Sequence, residues 1–93
     1  MTPEATIKTA IREHLKKIGA YHFAPVQMGL GVATVDVLAC VKGRFVGIEV
    51  KVPGKVPTPR QMIALSEIER AGGVAFWCTS LADCKEKLHE ALT

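Results

Sequence analysis

The sequence predicts an α/β fold with elements in the order α-β-β-β-α-β-α, and three observations carry that prediction. Apolar residues recur at helical spacing between Pro3 and Gly19 and again after Thr58 and Ser80. Runs rich in β-branched residues, "TVDVLACV" and "FVGIEVK", flank a short "KGR" turn. Each helical stretch also opens on a residue suited to capping a helix N-terminus.

Thr2 and Pro3 open the first helix as N-cap and first helical residue, and the pattern runs to Gly19. At about 100° per residue, Ile7, Ile11, Leu15 and Ile18 form one stripe. Glu4 falls inside that stripe and Glu13 points away from it. "AYHFAPV" reads as a first strand and "QMGLG" as a loop, before the second strand "TVDVLACV" and the third, "FVGIEVK". The "VPGKVPTP" stretch, with three prolines and a glycine, continues neither strand nor helix. Thr58 caps the second helix, with Pro59 at its first position and Gln61 at the capping-box spacing; the helix runs to about Ala71. "GGVAFWCTS" gives a turn and a fourth strand. Ser80, with Asp83 three residues on, opens a last helix along Leu81, Cys84, Leu88 and Ala91.

The chain has 93 residues, 48% of them apolar, enough for one modest core, and residues 1–93 read as a single domain without repeats or low-complexity tracts. A net charge of +3 is compatible with a polyanionic partner without announcing one. No apolar run is long enough to span a bilayer, and "MTPEATIKTAIREH" has no signal-peptide character, so a cytoplasmic protein is expected. Cys40, Cys78 and Cys84 form no C-x-x-C pair and read as small core residues. His14, His22 and His89 are scattered one per segment, which argues against zinc. "MGLGVAT" lacks the third glycine of a dinucleotide motif and precedes a strand, so it reads as giving the chain before Asp36 room for a close approach.

A two-residue turn at Lys42-Gly43 sets Val41 against Arg44 and, by counting back, Asp36 against Glu49. The β-carbons of such a pair are about 5 Å apart, where two carboxylates repel by about 3 kcal/mol at an effective dielectric near 20. A divalent cation reverses that sign, because two carboxylates, a backbone carbonyl and waters suit magnesium. Lys51 lies on the same face as Glu49. A plain alternative is a Glu49–Lys51 salt bridge on an edge strand, with Asp36 exposed in a loop. Glu4 serves equally as a first-turn acid complementing the helix dipole or as a partner of the metal site. Gln61 serves as a capping-box residue or as a site residue facing inward with Leu65 and Ile68.

An Asp followed some dozen residues later by Glu-x-Lys on a strand resembles the active-site signature of the PD-(D/E)XK nuclease superfamily. The helix-one glutamate, "GIEVK", the Thr-Pro-x-Gln helix start and "GG" before the next strand resemble a VRR-NUC domain, the virus-type replication-repair nuclease. The resemblance spans nearly the whole chain and departs from the pattern at Val35, where the family often has proline. It implies a restriction-endonuclease-like core, a mixed sheet flanked by helices. It further implies a homodimeric endonuclease dependent on Mg²⁺ or Mn²⁺, related to Holliday junction resolvases and acting on branched DNA. Asp36, Glu49, the carbonyl of Val50 and Glu4 would then serve the metal, Lys51 would orient or activate water, and Gln61 would match the family's glutamine.

Lys42, Arg44, Lys55 and Arg60 are the expected contacts to DNA phosphates, on turns and a helix start flanking the site. Without a base-reading element, shape and backbone recognition is expected, with strong salt dependence. The alternative functions are a non-catalytic DNA-binding or assembly module retaining the fold, and a restriction-type enzyme, for which the chain has little room to read sequence.

Overall fold

The computed structural model describes residues 1–26 and 34–93. Helix α1, Pro3–Lys17, starts where expected: the Thr2 hydroxyl accepts the Ala5 N–H at 3.1 Å, and Pro3 occupies a position that needs no N–H partner. Its apolar stripe buries Ile11 and Leu15, with Ile7 partly covered. Ile18 does not continue the stripe. It is the C-cap residue and is 46% exposed, because the backbone leaves helical geometry there and turns through Gly19 at φ +81°.

Strand β1 is only Tyr21–Phe23, shorter than the run "AYHFAPV" suggests. It lies at the edge of the sheet, where Pro25 has no N–H to offer a ladder. Strand β2, Val37–Val41, starts after a bend at Asp36 rather than at Thr34. The turn to β3, Arg44–Val50, has Lys42 at φ 51° and Gly43 at φ 79°, the doubly left-handed geometry of a type I′ hairpin. Val41 pairs with Arg44 and Val37 with Ile48, the register the turn predicted. The loop expected after β1, and "MGLGVAT" apart from Thr34, lie outside the described residues.

Helix α2, Pro59–Arg70, carries a complete capping box between Thr58 and Gln61 and leads to β4, Val74–Cys78. Helix α3, Leu81–Leu92, is capped by Ser80, whose hydroxyl accepts the Asp83 N–H at 3.0 Å. The sheet order is β1-β2-β3-β4, antiparallel except for the β3–β4 pair, which is parallel across the α2 crossover. This is the mixed sheet flanked by helices that the resemblance implied, with its elements in the order the sequence predicted.

The alternation of β3 decides what each face buries. Val46, Ile48 and Val50 point with Val37, Ala39 and Val41 into a core closed by Ile11 and Leu15 of α1 and Cys84 and Leu88 of α3. The opposite face of β3 and β4 lies under α2, which approaches closely through two glycines. A Cβ on Gly47 would stand 2.5 Å from Ile68 Cδ1, and one on Gly73 3.1 Å from the Phe45 carbonyl oxygen. Cys78 and Cys84 are core residues as expected, but Cys40 is exposed, because it faces the side of β2 that α2 does not cover. The free edge of β4 is guarded: Lys87 Nζ donates to the Trp77 carbonyl at 2.6 Å and pairs with Asp83 at 3.3 Å. Among the described residues no helix is long and apolar enough to cross a membrane.

Candidate active site

Strand β3 runs between β2 and β4, so it is an interior strand, and its penultimate residue Glu49 is 2% exposed. An ionisable side chain at such a place needs partners. Extending the β2–β3 register by one pair beyond Val37 and Ile48 sets Asp36 opposite Glu49. The bend at Asp36 ends the ladder there. Its Oδ2 accepts the Val50 N–H at 2.8 Å, taking the place of the backbone acceptor that a continued β2 would have supplied. In an extended strand the N–H and C=O of one residue point to the same edge, so the Val50 carbonyl also faces the Asp36 side.

Glu49 is held at one oxygen only. Its Oε1 accepts Gln61 Nε2 at 3.3 Å, while Oε2 is buried and has no hydrogen-bond partner among the described residues. Burial pushes the Glu49 carboxyl up to about 8, helped by the Asp36 carboxyl beside it. Lys51 offsets part of this rise and Glu4 adds to it. Glu4 itself is exposed in the first turn of α1, at this same end of the sheet. Lys51 is half-buried, one residue beyond β3, and its N–H donates to the Cys78 carbonyl at 2.9 Å. No Glu49–Lys51 ion pair forms among the described residues, and β3 is not an edge strand, so the plain salt-bridge alternative is not the arrangement observed.

The capping and site readings of Gln61 are compatible. Its N–H donates to Thr58 Oγ1 at 3.2 Å, its Oε1 accepts the Thr58 N–H at 2.9 Å, and Nε2 remains for Glu49. Among the expected cationic residues, Lys55 lies in the loop after β3 and Arg60 in the first turn of α2, both at the Glu49 end. Lys42 and Arg44 lie at the hairpin turn, five residue pairs or about 17 Å of strand away.

Two carboxylates and a backbone carbonyl make a donor set of hard oxygens, the kind that Mg²⁺ and Mn²⁺ take. The buried, orphaned Oε2 of Glu49 fits such an ion, whose charge would reverse the mutual repulsion of the two acids. Among the described residues no three His, Cys, Asp or Glu side chains come together as a metal-holding group, so water would have to complete any coordination shell. What sequence reasoning missed is how α2 reaches the site. Gly47 in the middle of β3 is the signal for it, since a glycine inside a strand marks a close approach.

No protein-family model matches the chain, and no curated protein matches it. Among solved structures it is similar to one described as a "VRR_NUC domain", with a TM-score of 0.81 and 19% sequence identity, over 96% of this chain and 97% of that one. A likeness so complete at so low an identity is a likeness of fold. The order of elements, the mixed sheet and this superposition give the chain the fold of that VRR_NUC domain.

Proposed function

We propose that residues 1–93 form one nuclease domain that hydrolyses phosphodiester bonds in branched DNA, such as a four-way junction, with Mg²⁺ or Mn²⁺ as cofactor. The observation that carries this reading is Glu49 Oε2, buried and unpartnered opposite a second carboxylate, within a nuclease fold. The two carboxylates repel one another when both are ionised, and a cation between them would reverse that.

In this reading Asp36, Glu49 and the Val50 carbonyl hold the cation, with Glu4 on its solvent side. The bound cation supplies a Lewis acid for the phosphate and a water that is nucleophilic near neutral pH. Gln61 holds Glu49 Oε1, leaving Oε2 aimed into the site. Lys51 orients the attacking water and places a positive charge where negative charge builds on the phosphate oxygens. Lys55 and Arg60 take DNA phosphates beside the site, and Lys42 and Arg44 take more distant ones. The chain works in the cytoplasm as a homodimer, because a four-way junction has near two-fold symmetry and paired nicks need two sites.

The test is cleavage of a labelled four-way junction beside linear duplex, with Mg²⁺, Mn²⁺ or EDTA, by the wild type and Asp36→Asn. Metal-dependent junction cleavage that the variant lacks supports the reading. A junction bound but never cut, with any metal, replaces it with a non-catalytic DNA-binding module.

A further inference from the structure

Helix α1 carries a row of cations that the candidate site does not use. Lys8, Arg12 and Lys16 recur every fourth residue, about 6 Å apart along the axis. They stand beside the buried stripe of Ile11 and Leu15 rather than within it. Glu4 is the preceding member of the same row and lies close enough to Glu49 to act on its charge, so the row begins at the candidate site and leads away from it.

Farther along, β1 contributes to the same surface. Arg12 Nε donates to His22 Nδ1 at 3.4 Å, and Thr9, Arg12, Glu13, Lys16 and His22 line a groove of about 230 Å³. The His22 imidazole is held below its ordinary pKa by burial and by the charges of Arg12 and Lys16. On the adjoining side of α1, His14 is lowered in the same way by burial, Lys85 and Lys17. His14 lies in a second groove, with Ala10, Glu13, Lys17, Leu81 and Lys85, and among the described residues Glu13 is the one acid lining either groove. None of Lys8, Arg12 and Lys16 makes an ion pair among the described residues, so no neighbouring acid competes with an external polyanion for their charges.

We infer that Lys8, Arg12 and Lys16, with His22 beside them, form a track that binds the phosphates of one DNA strand as it leaves the candidate site. The inference rests on the nuclease reading for its choice of DNA as the polyanion. From Lys8 to Lys16 the row spans about 12 Å. That length matches three to four nucleotide steps of one strand at about 3.4 Å each.

The test is equilibrium binding of a fluorescein-labelled four-way junction in EDTA, where no cleavage interferes, across a series of KCl concentrations. The proteins are the wild type, the triple variant Lys8→Gln/Arg12→Gln/Lys16→Gln, the single variant Lys16→Gln at an exposed position, and Arg70→Gln as a charge control on α2. Each lost phosphate contact lowers the slope of log K against log salt by about 0.9, so the triple variant should lose about 2.7 and Lys16→Gln about 0.9, with Arg70→Gln unchanged. Slopes unaltered in both the single and the triple variant overturn the track. The nuclease reading fails separately: wild type that cuts no DNA with Mg²⁺ or Mn²⁺, yet loses slope in the variants, keeps the track and loses the enzyme.

Discussion

Gln61 reaches Glu49 across the α2–β3 interface, donating its Nε2 to Glu49 Oε1 at 3.3 Å, while its own Oε1 accepts the Thr58 N–H at 2.9 Å. One amide therefore closes the first turn of α2 and fixes the orientation of a buried carboxyl. The two bonds need opposite ends of the amide, an acceptor toward Thr58 and a donor toward Glu49, and glutamine alone among common residues offers both at this length.

Gln61→Glu separates those duties. Glutamate keeps the acceptor that a capping box needs and loses the donor, so two carboxyl groups face each other inside the site. Thermal unfolding should show little change near pH 5 and a loss of about 1–3 kcal/mol near pH 8, where ionisation of both acids is resisted. An equal loss at both pH values would mean that the cap, not the Glu49 bond, is what Gln61 supplies.

The buried carboxyl makes the stability of the metal-free protein fall with rising pH. Glu49 titrates at about 8 in the fold against 4.5 ordinarily, so between those values the folded chain retains a proton that the unfolded chain has lost. Its favourable contribution is complete below 4.5 and gone once the pH has risen through about 8. The melting temperature in EDTA should decline across this window, and Glu49→Gln should flatten that decline. Mg²⁺ should restore more stability at about pH 8.5 than at about pH 6, since it binds the ionised form. A Glu49→Gln variant that keeps the wild-type slope would show that another group carries it.

Asp36 has a structural duty that an alanine cannot perform. Its Oδ2 accepts the N–H of Val50, a fully buried residue, and leaving that donor unsatisfied costs about 1–3 kcal/mol. Asp36→Asn keeps an acceptor and removes the repulsion on Glu49. Denaturant titration of the metal-free protein should therefore rank asparagine at or above the wild type and alanine below asparagine. For this reason asparagine is the cleaner substitution for cleavage assays.

The two glycines under α2 predict opposite responses to a second substitution. A methyl on Gly47 meets the Cδ1 end of Ile68, an atom that Ile68→Val deletes. A methyl on Gly73 meets Ile68 Cγ2 and the carbonyl oxygens of Phe45 and Ile68, all of which valine leaves in place. Each alanine should cost about 1–3 kcal/mol alone. Adding Ile68→Val should recover part of the loss for Gly47→Ala and none for Gly73→Ala. Recovery in both, measured by chemical denaturation in a double-mutant cycle, would mean that α2 shifts as a body.

The hairpin and the helix caps were legible because their causes are local. Lys42-Gly43 admits the left-handed pair of φ angles that a type I′ turn requires, and once that turn is set every pairing back to Val37 and Ile48 follows. Thr2, Thr58 and Ser80 each satisfy an N–H within three residues, so the sequence alone places the start of every helix. Where long-range packing decides, local pattern does not suffice: Ile18 keeps the period of α1 yet lies past its last turn. Likewise β1 contains only three of the seven residues in its apolar run, because an edge strand with one neighbour has little to extend it.

The sequence by itself determined which carboxylates stand opposite each other, since Asp36 and Glu49 belong to one hairpin whose register a short turn dictates. Only the tertiary structure decided what that pair experiences. The parallel docking of β4 makes β3 interior and removes Glu49 from water, and the approach of α2 over Gly47 brings Gln61 to one carboxyl oxygen while leaving the other unpartnered. Burial is a sum over elements far apart in the chain, so no local pattern around Glu49 contains it, although that burial is the first cause of the raised pKa of its carboxyl.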